Sequence, residues 1–336
     1  MVQARVVVIS RAGRASVPEA ALDGLQVRFV QRQDAPDQCT AVALLRYAEV
    51  LACTNICLPV LDEALVSRLP RLRHVVLYAT GYEHVDLAVL DRHGVTLSVL
   101  PEYATTAVAE HALAMLLSLA ARVHLAHDRS RGAVHADTSL RGVELGGRTL
   151  GVIGTGRIGR RLARLATGIG MRVLGTDVDP VAVARAERNG IEMVGKEALL
   201  ERSDAVALCA STERGAAPVL DAAAVMALRG GVLVVNIGRP ALVDTAALMV
   251  ALRAGWVRGY GVDEVVLGKD SPAADLDLLR QGRVLQTGHS AWWRDEVLER
   301  GAAMFAAAVV AAAQGCPVDV VRAHSRGRDA LIGVSS

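Results

Sequence analysis

The sequence predicts an α/β protein of two domains, each a mainly parallel sheet layered with helices. Short β-branched runs alternate with helix-length segments along most of the chain. That rhythm implies parallel pairing through right-handed crossovers. It starts twice, at Ala4 and again at Thr149. A chain of 336 residues is also long for one small core and suits two domains of ordinary size.

The first set of strands is read at Ala4 to Ile9, Val27 to Val30, Val50 to Cys53, His74 to Ala79 and Val95 to Leu100. Between them lie stretches such as Leu61 to Leu69, apolar at helical spacing. A longer helix is expected from Thr106 to about Ala126, capped by Thr105 or Thr106. It carries Val108, Leu113, Leu116, Leu117 and Leu119 on several faces, and a helix apolar on several faces is buried on several. It is therefore read as a bridge between the domains and a dimer contact. The second set is read at Thr149 to Ile153, Arg172 to Thr176, Ala205 to Leu208, Val232 to Asn236, Tyr260 to Val262 and Val284 to Gln286. An Ala-rich helix follows Trp293 and runs to Gln314, and the polar segment Ser325 to Ser336 has the composition of a fraying end.

Composition narrows the function classes. The net charge is only +2, no basic stretch is interleaved with aromatics, and a nucleic-acid surface has no electrostatic basis. The first residues enter a strand directly, without the apolar segment of a signal peptide, and the Ala-rich run from Ala302 to Ala313 is too short to span a bilayer. A cytoplasmic protein with no membrane partner is expected. Cys39, Cys53, Cys57, Cys209 and Cys316 are scattered, and no second ligand pair accompanies Cys53 and Cys57. Reduced thiols and no metal are the reading. His124 and His127 lie one helical turn apart without a third ligand and read as a solvated helix face.

The strand Leu150 to Ile153 runs directly into Gly154-Thr155-Gly156-Arg157-Ile158-Gly159. The first glycine permits a tight turn, the second lets backbone approach a pyrophosphate, and the third lets helix and strand pack closely. The helix beginning near Arg157 presents free N–H groups and its positive dipole end to phosphates. The next strand ends at Asp177, whose carboxylate suits the ribose hydroxyls and repels a 2′-phosphate, so NAD is expected over NADP. Arg157 either contacts the pyrophosphate or caps the local surface.

The segment from Gly142 into this fingerprint resembles the entry to the cofactor domain of the D-isomer-specific 2-hydroxyacid dehydrogenases. Val234-Val235-Asn236-Ile237-Gly238-Arg239 with Leu242-Val243-Asp244 is similar to the same family. So are Ala79-Thr80-Gly81-Tyr82 with Val85-Asp86, and Thr287-Gly288-His289-Ser290-Ala291-Trp292. The last segment is nearest to the C-terminal-binding-protein-like members, and the likeness runs from about Pro70 onward. It implies an NAD-binding Rossmann domain over residues 103–293. A smaller flavodoxin-like substrate domain would be built from residues 1–102 and 294–336, and a homodimer is implied.

For the cofactor, the resemblance implies Gly154, Gly156, Arg157, Ile158, Gly159, Asp177, Ala210, Thr212, Ile237, Asp263 and Ala291. For a small anionic substrate it implies Ala79, Thr80, Gly81 and Trp292. Reduction of a 2-oxo acid needs a hydride, a proton and a fixed cation for the carboxylate. His289, at a strand end, suits the proton, and Arg239, also after a strand, suits the carboxylate. Without the likeness, a surface histidine and an ordinary loop cation would be the plainer readings. Tyr82 and Tyr103 are open between cleft, core and surface roles, and one of Trp292 and Trp293 is read as a pocket wall.

The sequence also departs from the family pattern. A Glu that pairs with the histidine is usual five residues after the Asp matched by Asp263, and Gly268 stands there. Glu264 is adjacent, but strand alternation points it away from where Asp263 points. Either Glu264 or Asp270 takes the place through a changed loop, or His289 works alone. Pro240 and Gly288 stand where Gly and Pro are usual. The function expected is NAD-dependent interconversion of a small 2-oxo acid and its D-2-hydroxy acid. The alternatives are a dehydrogenase of an unusual anion such as a phosphonate, and an NAD(H)-binding regulator without catalysis.

Overall fold

The structure is a computed structural model that describes residues 5–212, 215–322 and 330–331. The expected fraying segment Ser325 to Ser336 therefore lies outside the described residues, apart from Ala330–Leu331. The chain divides into two compact units, Met1–Ala104 with Asp295–Ser336, and Thr105–Arg294.

In the first unit, strands β1 (Arg5–Ser10), β2 (Gln26–Gln31), β3 (Val50–Thr54), β4 (His74–Tyr78) and β5 (Thr96–Ser98) pair in parallel, in the order β2-β1-β3-β4-β5. This is the flavodoxin-like order. Strands β13 (Val320–Arg322) and β14 (Ala330–Leu331) extend the sheet antiparallel beyond β5. Strands β1, β3 and β4 are almost wholly buried, which is why they read as unbroken apolar runs rather than alternating ones. The helices Gln38–Leu45, Glu63–Val66 and Leu87–Arg92 each begin after an aspartate, Asp37, Asp62 or Asp86, whose side chain accepts a first-turn N–H.

The helix Asp295–Ala313 belongs to this unit and packs on β1, β3 and β4. Phe305 is fully buried at its centre, and Tyr78 stacks at a tilt on Phe305 and edge-on against Tyr103. Tyr103 is thus a core residue. Gly301 is the point of closest approach: a Cβ there would lie 2.6 Å from Tyr78 Cζ. His74 is the buried polar residue of β4. Its Nε2 lies 2.9 Å from Ser98 Oγ and its Nδ1 2.5 Å from Thr96 Oγ1, and burial pushes its pKa down to about 4. Ser98 in turn donates to the carbonyl of Val318, so the histidine helps tie β5 to the chain entering β13.

In the second unit all seven strands are parallel. They are β6 (Thr149–Ile153), β7 (Arg172–Thr176), β8 (Glu192–Met193), β9 (Ala205–Leu208), β10 (Val232–Asn236), β11 (Val257–Val262) and β12 (Val284–Gln286). Their order, β8-β7-β6-β9-β10-β11-β12, is the doubly wound Rossmann arrangement, whose direction reverses between β6 and β9. One face of the sheet packs Leu199, Leu248, Leu252 and Tyr260. The other packs Met115, Leu116, Leu119, Leu150 and Leu162.

The expected single helix from Thr106 to Ala126 is two helices. Thr105–Ala121 stops at Arg122, which takes a left-handed backbone (φ 57°), and Val123–Ser130 leaves at a bend of 62°. The Arg122 guanidinium donates to Gln281 O at 2.7 Å, and that contact holds the break. The first helix belongs to the second unit, where its buried face packs against the helix Arg157–Gly168 and strands β10 and β11. No single described helix is long and apolar enough to cross a membrane. His124 is not on a solvated face either: its ring nitrogens meet Ser118 Oγ at 3.2 Å and Gly282 O at 3.1 Å.

Candidate active site

The functional candidates of the second unit gather at the carboxyl edge of its parallel sheet. Gly154 follows β6, Asp177 follows β7, Ala210 and Thr212 follow β9, Ile237 and Arg239 follow β10, Asp263 and Glu264 follow β11, and His289 follows β12. That edge, near the reversal of strand order, is where ligands of open α/β sheets bind.

The three glycines of the fingerprint have three different surroundings. Gly154 takes φ +88°, and a Cβ there would lie 2.5 Å from Ala210 N. At Gly159 a Cβ would run into the carbonyl of Gly154 and lie 3.0 Å from Val152 Cγ1. At Gly156 a Cβ would meet no protein atom within 4 Å. The space beside Gly156 is thus open, with room for a group outside the chain to approach its backbone. Gly156 is also the N-cap of the helix Arg157–Gly168, and no side chain caps it, whereas Asp179, Asp221 and Asp244 cap their helices with carboxylates. First-turn N–H groups at such an end suit an anionic group.

Asp177 braces this loop. Its Oδ2 accepts from Thr155 N at 2.6 Å, and its Oδ1 from Asp179 N at 3.0 Å. Arg160 donates to Thr155 O at 2.9 Å. Burial and then the neighbouring Arg185 and Arg157 lower the Arg160 pKa, against the pull of Asp177. A group of arginines beside one carboxylate suits phosphates next to a ribose. Cys209, next to Gly154, has its thiol pushed up to about 12 by burial, which makes it packing rather than a nucleophile.

At the other end of the edge two loops are held by buried polar side chains. Asn236 donates to Arg239 O at 2.7 Å and accepts from Gly238 N at 3.0 Å, so it fixes the turn that carries Arg239. Asp263 does the same for the histidine segment. Its Oδ1 accepts from Thr287 Oγ1 at 2.7 Å and Ser290 N at 2.9 Å, its Oδ2 from Ala291 N at 3.1 Å, and its carbonyl from His289 N at 3.0 Å. His289 is held in a left-handed conformation (φ 61°), directly after Gly288 at φ 62°. A proline at 288, with φ locked near −65°, does not fit this backbone.

The alternation expected for Asp263 and Glu264 is present, with a consequence that the sequence did not show. Asp263 turns into the loop, and Glu264 turns the other way, onto His289, with Oε1 2.5 Å from Nδ1. Asp270 is solvent-exposed and Gly268 lies in a turn closed on Ser271. Gln286 draws Val266 and Leu267 against β12 through their N–H groups, at 3.2 and 3.1 Å.

The family model described as "D-isomer specific 2-hydroxyacid dehydrogenase, NAD binding domain" matches residues 113–291. The chain belongs to this family. As a D-isomer specific 2-hydroxyacid dehydrogenase family member it is an NAD-dependent oxidoreductase, and its second unit is the NAD-binding Rossmann domain. The D-lactate dehydrogenase of Escherichia coli is 33% identical over 262 residues, covering 73% of this chain and 79% of the relative. The D-3-phosphoglycerate dehydrogenase of Mycobacterium leprae is 32% identical over 267 residues, 80% of this chain, which spans only about half (49%) of that relative's length. The crystal structure of D-lactate dehydrogenase from Aquifex aeolicus, complexed with NAD and lactic acid, superposes with a TM-score of 0.77. It has 28% identity and covers 92% of this chain and 96% of that one.

The dehydrogenase's remaining candidates lie as follows. Ile237 and Ala291 are buried, Ile158 and Thr212 are half-buried, and Trp292 packs edge-on against the exposed Trp293 at 5.0 Å. Ala79, Thr80 and Gly81 belong to the first unit, after β4 at the carboxyl edge of that sheet. There Thr80 Oγ1 donates to Leu100 O at 2.9 Å, and Ala79 O accepts from Leu100 N at 2.9 Å. Sequence reading missed His111, on the helix Thr105–Ala121, with Nε2 2.9 Å from Thr287 Oγ1. The available signal was a histidine on the inward face of an otherwise apolar helix. It also missed Asn236 as the brace of the arginine turn.

Proposed function

We propose that this enzyme interconverts a small 2-oxo acid and its D-2-hydroxy acid, with His289 as general acid/base, Glu264 as its carboxylate partner and Arg239 as the anchor of the substrate carboxylate. The observation that carries the proposal is the 2.5 Å contact between Glu264 Oε1 and His289 Nδ1. A carboxylate on Nδ1 fixes that nitrogen as the donor and leaves Nε2 free to give or take a proton at the substrate oxygen. The guanidinium of Arg239, on a turn fixed at both ends by Asn236, offers a fork that matches a carboxylate. Bound NADH supplies the hydride. In reduction, His289 protonates the carbonyl oxygen as it gains negative charge, and Glu264 stabilises the ring in its charged form. In oxidation the same nitrogen accepts the hydroxyl proton.

The acid/base pair is thus built from the residue directly after Asp263 instead of one five positions on. Gly154, Gly156, Gly159 and Asp177 are assigned to NAD in the same proposal, and a homodimer is carried with it from the family likeness. The test is NADH oxidation with glyoxylate, pyruvate, hydroxypyruvate and phosphonopyruvate. Turnover of one or more is expected, with kcat reduced about 10²–10⁴-fold in His289→Ala. In Glu264→Gln it falls by roughly tenfold, as a charge-assisted bond becomes a neutral one. Full activity in His289→Ala would remove the proposal.

A further inference from the structure

The histidine that sequence reading missed stands in a chain of hydrogen bonds whose direction can be worked out. His111 has only about a tenth of its side chain exposed (11%). Its Nδ1 lies 3.2 Å from Nη2 of Arg294, and a guanidinium has only donors, so Nδ1 must be an unprotonated acceptor. The neutral ring then carries its hydrogen on Nε2, which donates to Thr287 Oγ1 at 2.9 Å. Thr287 has one hydrogen to give and gives it to Asp263 Oδ1 at 2.7 Å. Each link forces the next, and the order runs Arg294, His111, Thr287, Asp263.

The end of this chain is the carboxylate that holds the backbone of Ser290 and Ala291, while its own carbonyl holds His289 N. Arg294 closes the circuit from the other side, because its Nη1 donates to Trp293 O at 2.8 Å and to Ser290 O at 3.3 Å. The segment from Thr287 to Arg294 is thus gripped at both ends by a network that includes one helix residue, His111. His289 needs such a grip, since a non-glycine residue in the left-handed region persists only when its surroundings over-determine it.

We propose that His111 is a positioning residue for His289: as a neutral Nε2–H tautomer set by Arg294, it orients Thr287 and Asp263, and through them the loop that presents His289 to Glu264. The groups facing His111 agree with a neutral ring. Burial holds its pKa below the ordinary value, the carboxylate of Asp263 (3.6 Å from Nε2) pulls it upward, and the Arg294 guanidinium pushes it down again. A protonated ring would place an Nδ1–H against that guanidinium. His289 and Glu264 form a second carboxylate–histidine pair on the opposite side of the Asp263–Glu264 peptide. One pair sets the backbone of the loop and the other sets the ring.

This inference rests on the reading of His289 as the acid/base group, but the two are separable by experiment. The full-length protein is labelled with ¹⁵N-histidine, and ring signals are recorded at a pH where both rings are neutral. In the wild type His111 is expected as the Nε2–H tautomer and His289 as the Nδ1–H tautomer. In His111→Leu the loop relaxes, and the His289 signals move to the average of both tautomers, with kcat reduced on the order of tenfold. His111→Gln restores them, because an amide can donate to Thr287 and accept from Arg294 through neighbouring atoms. Thr287→Val, nearly isosteric, breaks the chain without changing the helix and reproduces the His111→Leu spectrum even if that variant folds poorly. The inference is overturned if His111 appears as the Nδ1–H tautomer. Unchanged His289 signals in Thr287→Val would overturn it too. Absence of turnover on every 2-oxo acid would instead count against the acid/base reading and leave these spectra to decide the positioning role.

Discussion

Two glycines of the fingerprint, three residues apart, should respond to alanine in opposite ways. At Gly159 the added methyl would fall on the carbonyl of Gly154, well inside van der Waals contact, with Val152 Cγ1 at 3.0 Å. Both neighbours belong to the turn and strand of the sheet, so neither can give way without moving the helix Arg157–Gly168. Overpacking of this kind costs roughly 1–3 kcal/mol. For a domain of this size that corresponds to a fall in Tm of about 3–10 °C. At Gly156 the same methyl meets no protein atom within 4 Å, and its φ of −60° is ordinary for any residue. Gly156→Ala should therefore leave Tm within about 2 °C. It should nevertheless weaken NADH at least roughly tenfold, about 1.4 kcal/mol, because the methyl occupies the space the pyrophosphate needs. Thermal melts with and without NADH, together with fluorescence titration of NADH, measure both quantities. If Gly156→Ala binds NADH like the wild type, the assignment of this loop to the dinucleotide fails. If it melts as low as Gly159→Ala, the contrast between packing and ligand approach is wrong.

Other perturbations follow from residues elsewhere in the fold. His74 has its pKa held at about 4 by burial, against 6.5 for an unconstrained histidine, so the unfolded chain takes up its proton first as pH falls. Its contribution is complete above pH ~6.5 and is lost between there and pH ~4, up to about 3 kcal/mol. Urea melts at pH 7 and 4.5 should show that loss reduced in His74→Gln, and an equal loss in both proteins would sink the assignment. Gly288→Pro, which restores the residue usual in the family, should lower kcat and Tm together, because φ +62° is closed to proline. Wild-type kinetics in that variant would mean that the left-handed turn at 288–289 is not needed. Gly301→Ala places a methyl 2.6 Å from Tyr78 Cζ and 3.1 Å from Tyr103 Cδ2, and should cost about 1–3 kcal/mol in a denaturant melt. Tyr78→Phe in the same background should recover part of it.

Most of the sheet was legible because buried parallel strands are continuous apolar runs. Thr149–Ile153, Arg172–Thr176, Ala205–Leu208, Val232–Asn236 and Val284–Gln286 are found at the residues where they were read. The strands that were missed lack that signal. β8 is two residues long, and β13 pairs antiparallel with β5 across more than two hundred residues of chain. The break at Arg122 carried no glycine or proline, and the residue there contacts Gln281, remote in sequence. The fingerprint was legible because it is a contiguous pattern, with Gly154 and Gly159 required by their immediate surroundings. Glu264 and Asp270 were both legible as partners for the histidine, but the choice between them was not, because it depends on where the loops after β11 and β12 meet.

The departures at Gly268 and Gly288 are best read as one change. Glu264 leaves the strand on the side opposite Asp263, and a side chain that begins one residue after the strand can reach only a ring that comes back toward the strand end. The left-handed pair Gly288 and His289 turns the loop back in this way, while Asp263 holds the next two residues. A proline at 288, with φ locked near −65°, cannot adopt the φ of +62° found there and so is incompatible with the turn in which His289 meets Glu264. Glycine at 288 permits the turn in which Glu264 meets His289, while Gln286 tethers residues 266–267 and no carboxylate stands at 268. In the proposed reading, Glu264 stands in for the carboxylate absent at 268, four residues further on. On that reading, a backbone conformation open to glycine and closed to proline is what lets Glu264 reach the histidine.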